Sequence, residues 1–203
     1  MPRRNLRRAA AVTFTVACGL AVLPAAAPAG AEVSEAGEHC IGGLNGEAQQ
    51  CFATFTEAVA VATDGQVTDA PASARAAATD GGFKAELRAG AETAVKSGAQ
   101  GAPRAQVMGD IIQGTFFEHE DYGGATFTVY GDGLCEKDGW VDYSFTFPDD
   151  WKNIISSVQP WAGCWLWLYP EPDLGGDRDG PFKENTSYIG SFMNDRTRSV
   201  GFS

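Results

Sequence analysis

The stretch WKNIISSV (151–158) returns 42 residues later as MNDRTRSV (193–200), each copy polar in its middle and closed by Ser-Val. A second pattern precedes each copy. Phe117-x4-Tyr122-x-Gly124 recurs 52 residues on as Tyr169-x4-Leu174-x-Gly176. Glycine admits the positive φ of a tight fold-over, and the ring pair can cover the fold. The unit is therefore hairpin, strand, polar loop, strand, written twice. Because the hairpins lie 52 residues apart and the loops 42, the first unit carries about ten extra residues. They fall in GDGLCEKDGWVDY (131–143), around Cys135.

Working outward from these repeats, residues 111–203 read as short β-type runs such as ATFTVYGDG and DYSFTFPDD, punctuated by Gly and Asp. Such spacing predicts an antiparallel sandwich. All five Trp, all five Tyr and eight of the twelve Phe fall between Asp110 and Ser203, so the main core is C-terminal.

Two hairpins and two loops in this order resemble the βγ-crystallin Greek key. The resemblance covers roughly 111–203 and implies an all-β double Greek-key sandwich. Leu174 departs from the second aromatic of the pattern, so the second hairpin is expected to be less well covered. In microbial members the loop pattern is two Asn/Asp, two free residues, Ser/Thr, then Ser, and it binds calcium. The implied ligand positions are Asn153, Ile154 and Ser156 in loop one, Asn194 and Asp195 in loop two, and Glu118 in the first hairpin. Neither loop is intact. Lys152 replaces the first Asn/Asp of loop one, and Arg198 takes the hydroxyl position of loop two. Calcium needs hard oxygen ligands, and a guanidinium removes one while adding a positive charge. Arg198 is expected to form an internal ion pair with a nearby acid in place of the metal. No cofactor is required, and calcium is expected at one weak site at most, centred on loop one.

The N-terminus reads as an export leader over 1–31. Arg3, Arg4, Arg7 and Arg8 precede the apolar run 9–23, and Ala29-Gly30-Ala31 offers a cleavage site. The mature chain would be secreted, with no membrane span after cleavage. It would keep 11 basic against 26 acidic residues, a net −15 that argues against nucleic acid as a partner. Cys40, Cys51, Cys135 and Cys164 remain, and an even count in an exported chain reads as two disulfides. Three connectivities exist; proximity favours 40–51 and 135–164.

Residues 32–65 read as a disulfide-closed hairpin followed by a helix. Thr54 or Thr56 would cap it, with Phe55, Val59 and Ala62 on one face. Residues 66–108 are Ala/Gly-rich and hold one aromatic, which reads as a partly helical linker before the domain at 109–203. The segment Cys40…Cys51-Phe52-x-Thr54-Phe55-x-Glu57-Ala58 beside this kind of domain resembles a group of exported actinomycete proteins of unknown activity.

No catalytic signature is present: G-x-S-x-G and H-E-x-x-H are both absent. The expected function is a non-enzymatic binding or structural protein, monomeric, with an unidentified protein or glycan as partner. The fold resemblance supplies two alternatives, a protease inhibitor of the metalloproteinase-inhibitor type and a killer-toxin-like protein. In the run CWLWLYP (164–170), alternation puts Trp165, Trp167 and Tyr169 on one face and Leu166 and Leu168 on the other. The leucines are expected in the core. The two tryptophans are expected to be covered by residues 50–62, or else to be a binding surface.

Overall fold

The computed structural model describes residues 37–99 and 111–203. The expected leader, 1–31, and positions 100–108 of the expected linker lie outside the described residues. The C-terminal repeats form two four-segment keys. The first is β3 (Ile111–Phe117), β4 (Thr126–Gly131), β5 (Tyr143–Thr146) and β6 (Ser157–Pro160). The second is β7 (Leu166–Tyr169), β8 (Asp179–Phe182), a segment around Thr186, and β9 (Ser199–Phe202). The keys exchange one segment each. β5 leaves its own key to pair with β9 in a sheet ordered β5-β9-β7-β8. In return, Thr186 of the second key pairs with Val158 on β6. The result is an all-β double Greek-key sandwich.

Alternation along each strand fills the space between the sheets. Phe116, Phe127, Val129 and Val158 from one sheet meet Leu166, Leu168, Val200 and Phe202 from the other, all fully buried. Phe147 stacks edge-on against Phe116 at 4.9 Å and Phe127 at 5.6 Å. Packing at Gly114 is tight: a Cβ there would stand 3.1 Å from the Phe202 ring, which would have to shift by a few tenths of an ångström.

The N-terminal part joins this architecture directly. β1 (His39–Gly43) and β2 (Gln50–Phe52) form a hairpin with Cys40 opposite Cys51, and those two cysteines are bonded. β1 then runs parallel to β4, giving a five-stranded sheet ordered β2-β1-β4-β3-β6. α1 (Phe55–Ala62) is capped by Thr54, whose Oγ1 accepts from the Glu57 N–H; Thr56 instead donates to the Ala70 carbonyl. Phe55, Val59 and Ala62 are buried on one face of it. His39 is buried beside Phe55 and shares a 2.9 Å hydrogen bond with Thr126; burial holds its imidazole below its ordinary value of 6.5.

The expected linker differs in the structure. α2 (Ala74–Thr79) and α3 (Gly81–Ala99) are capped by Ser73 and by Asp80, whose Oδ1 accepts from the Gly82 and Phe83 N–H groups. With α1 they cover the outer face of the five-stranded sheet. Ala74, Ala77, Phe83 and Leu87 pack with Ile41, Ile112, Phe117, Tyr130 and Trp161 in a second core. Alanine orders cheaply, having the highest helix propensity and no side-chain entropy to lose. The bulk that the segment lacks is supplied by the sheet beneath it. Helices and sheets belong to one compact unit, Glu32–Ser203. Among the described residues no helix is long and apolar enough to cross a membrane.

Candidate functional site

The two hairpins follow one backbone path. Asp121, Tyr122 and Gly124 have φ of 55°, 61° and 75°; Asp173, Leu174 and Gly176 have 55°, 62° and 79°. Two non-glycine residues per hairpin are thus held in a left-handed conformation that costs each of them about 1–2 kcal/mol. The serine closing each polar loop holds it there. Ser157 Oγ donates to the His119 carbonyl at 2.7 Å and accepts from the Tyr122 N–H at 3.1 Å. Ser199 Oγ donates to the Glu171 carbonyl at 2.6 Å and accepts from the Leu174 N–H at 3.0 Å. The repeated Ser-Val is explained: serine pins the hairpin and valine enters the core. Phe117 meets Tyr122 edge-on at 5.4 Å, whereas Tyr169 has no ring partner among the described residues. Ser157→Ala and Ser199→Ala are each expected to lower stability by about 1–3 kcal/mol, because each leaves a donor and an acceptor unpaired. Urea unfolding checks this, and a loss under about 0.5 kcal/mol would remove the pin from the argument.

The polar loops lie side by side. The Asn153 N–H donates to the Thr197 carbonyl at 2.9 Å, and the Asp195 N–H donates to the Ile155 carbonyl at 3.1 Å. These two bonds are equivalent under the 42-residue repeat, so the loops are related by a local two-fold. Position five of each loop therefore faces position two of the other. Arg198 Nε donates to Asn153 Oδ1 at 2.9 Å. Among the described residues the expected ion pair is not made. The acid of its own loop, Asp195, lies across the two-fold, and what faces the guanidinium is a neutral amide.

On the other side, Ser156 stands where Arg198 does, and Asp195 where Asn153 does. Ser156 Oγ donates to the Glu118 carbonyl at 2.9 Å. Asp195 Oδ2 accepts from Asn194 Nδ2 at 2.9 Å, while Asn194 Oδ1 is buried with no hydrogen-bond partner among the described residues. A serine hydroxyl, a main-chain carbonyl, a carboxylate and an orphaned amide oxygen are donors of the kind calcium takes. The Arg198 side offers a guanidinium, which does not fit a cation. Ile154 packs against the sandwich core, and Lys152 is tied to Asp149 at 2.6 Å, a contact that holds the Asp149 carboxyl below its usual range. The one group of three or more His, Cys, Asp or Glu ligand atoms brought together among the described residues is Glu38 with Cys40 and Cys51, whose sulfurs are consumed by their bond.

Trp165 and Trp167 lie on the outer face of the four-stranded sheet, with Leu166 and Leu168 inward as alternation requires. The expected cover by residues 50–62 is absent, because α1 sits on the opposite sheet. Trp161 takes that place instead, edge-on to Phe83 at 5.5 Å and donating from Nε1 to Thr115 Oγ1 at 3.0 Å. The half-buried pair is covered by cations: Lys183 Nζ lies 3.6 Å from the Trp165 ring centre, and the Arg178 guanidinium 3.8 Å from that of Trp167. Trp167 Nε1 also donates to Ser203 Oγ at 3.0 Å.

No protein-family description matches the chain, and no curated protein matches it. Solved structures do. A βγ-crystallin domain from Clostridium beijerinckii is 19% identical over 44% of this chain and 95% of its own, with a TM-score of 0.34. One from Flavobacterium johnsoniae is 17% identical over 44% and 92%, TM-score 0.34. The N-terminal domain of Protein S is 21% identical over 45% and 94%, TM-score 0.35. The Greek-key assignment rests on the strand exchange and paired loops within this chain. Sequence reasoning missed the Arg198–Asn153 contact and the burial of Trp161; the first joins positions 45 residues apart.

Proposed function

We propose that the chain is an exported, non-catalytic β-sandwich protein of the βγ-crystallin kind, with one weak calcium site in place of two. The observation that carries this is the Arg198 Nε–Asn153 Oδ1 hydrogen bond, which fills one half of a two-fold pair of loops and leaves the other half oxygen-lined. Ser156 Oγ, the Glu118 carbonyl, the Asp195 carboxylate and Asn194 Oδ1 would hold the ion, which would tie the first hairpin to both loops. Export is supported by the leader-like start and by the bonds Cys40–Cys51 and Cys135–Cys164. Calorimetric titration, with melting measured with and without a chelator, tests the reading. A site with a dissociation constant on the order of 1 mM would add about 1.4 kcal/mol at about 10 mM calcium. Binding of no ion, or of two, overturns it.

Arg198→Ser restores the hydroxyl and is expected to raise calcium affinity at loop two. It should lower metal-free stability by about 1 kcal/mol or less, since the lost bond is exposed. Unchanged affinity with Asn194 and Asp195 intact would mean that loop geometry, not the guanidinium, excludes the ion.

Trp140 carries a second reading, that of a protease inhibitor. It is 79% exposed at the tip of the first key's insertion, beside the Cys135 anchor. Its main-chain N–H donates to Asp138 Oδ1 at 2.8 Å, and the Glu136 N–H donates to Asp142 Oδ2 at 2.9 Å, so two local bonds brace the loop. Titration against secreted metallo- and serine proteases decides. Inhibition lost in Trp140→Ala supports this reading, and no inhibition at micromolar protein ends it.

A further inference from the structure

A groove of about 580 Å³ runs between α3 and the Cys135–Cys164 bond, and it lies apart from the calcium loops. Its walls are cationic on a chain whose overall balance is strongly acidic. Of the ten Lys and Arg side chains among the described residues, four line it: Lys84, Arg88, Lys137 and Lys183. None of the four makes an ion pair among the described residues. Two acids also line the groove, but Glu92 is already met by Lys96 at 3.8 Å, leaving Glu184. Uncompensated like charges converging on a concavity raise the local potential that an anion sees. The repulsion of distant surface acids is screened over about 8–10 Å at ordinary salt.

Contacts at both ends shape the groove. The Lys137 stem lies across Gly163 so closely that a Cβ there would stand 2.6 Å from its Cε. Asn185 Nδ2 donates to the Ala78 carbonyl, tying the segment after β8 to α2 at one end. Half-buried Trp165 contributes its indole, with the Lys183 ammonium resting on it. A cation–ring contact made by an exposed lysine is weaker than a charge-assisted hydrogen bond, so Lys183 can turn to an arriving acid and free the ring.

We propose that this groove binds an acidic saccharide, a chain of sugar rings bearing carboxylate or sulfate groups. A ring would lie against Trp165, and the anions would meet Lys84, Arg88, Lys137 and Lys183. The volume is that of a small-ligand site and far exceeds a single ion. An acidic peptide added as a strand is disfavoured, because β8, the nearby sheet edge, contains Pro181, which has no N–H to pair. The proposal rests on the chain being a binding protein and is independent of calcium.

The test uses the full chain in chelator, so a failed calcium titration and a failure here are separate results. A galacturonate hexamer and a heparin-derived hexasaccharide are titrated by calorimetry and tryptophan fluorescence. Maltohexaose is the neutral control and hexaglutamate the peptide control. At least one acidic hexasaccharide is expected to bind below about 1 mM, more weakly at about 0.5 M salt, with the two probes separating carboxylate from sulfate preference. The exposed-site double variant Lys137→Gln/Lys183→Gln is expected to weaken binding about tenfold or more with unchanged melting, while Lys152→Gln/Arg196→Gln, the same charge change away from the groove, leaves it intact. Four results overturn the proposal: no binding of either acidic saccharide, equal binding of maltohexaose, tighter binding of hexaglutamate, or indifference to the groove lysines.

Discussion

Phe55→Ala is expected to lower the unfolding free energy by about 3–5 kcal/mol, the upper range for a buried aromatic. Phe55 is 1% exposed, edge-on to His39 at 5.8 Å and to Phe83 at 6.3 Å, where α1 rests on β1. The helical side of that core is mostly alanine, with Phe55 and Phe83 as its two rings. Short side chains cannot swing into the space a phenylalanine leaves, so the cavity stays open and the cost is high. Urea unfolding followed by tryptophan fluorescence reads the effect, because Trp161 reports the helical layer from beside Phe83. One shifted transition is the expected result. A separate early transition that leaves the sandwich folded would show that the helices are an accessory cover.

That layer was legible in the sequence, though not where the linker reading looked. β3 reads IIQGTFF, with Ile111 and Ile112, then Phe116 and Phe117, as adjacent apolar pairs. A strand of a half-exposed sandwich alternates; a strand apolar on both faces is buried on both. All seven positions of β3 are buried, Phe116 between the sheets and Phe117 under the helices. Residues 66–108 hold too little apolar bulk to form a core by themselves. They need only to fit one already half made.

The site was legible in part for a related reason. Position two and position five of each loop stood out as candidates through the family resemblance, and the repeat aligns them. Their partners were not, because the two-fold pairs each loop with the other, and a sequence does not state which residues meet across it. Hence Arg198 was matched to an acid and finds Asn153. The tryptophans repeat the lesson. Alternation separates Trp165 and Trp167 from Leu166 and Leu168, but the choice of which outer face the helices cover is made by β1 pairing with β4.

Cys135→Ala/Cys164→Ala is expected to cost roughly 3.5 kcal/mol from chain entropy, against roughly 2.8 for the Cys40/Cys51 pair, because the bonds close 29 and 11 residues respectively. The larger loss has a second source. Cys135 and Cys164, 9% and 2% exposed, both belong to the inter-sheet core, whereas of the other pair only Cys40 does and Cys51 is exposed on the sheet edge. The bond also joins the insertion of the first key to the start of β7 in the second, so without it the keys are tied only by packing and strand exchange. Parallel urea titrations of the two double variants against the oxidised parent measure both losses. A deeper loss for the 135/164 pair, together with weakened binding of the acidic hexasaccharide, is the expected outcome, since the groove loses one wall. Equal losses would mean that the insertion holds its place without the bond and that strand exchange alone fixes the two keys.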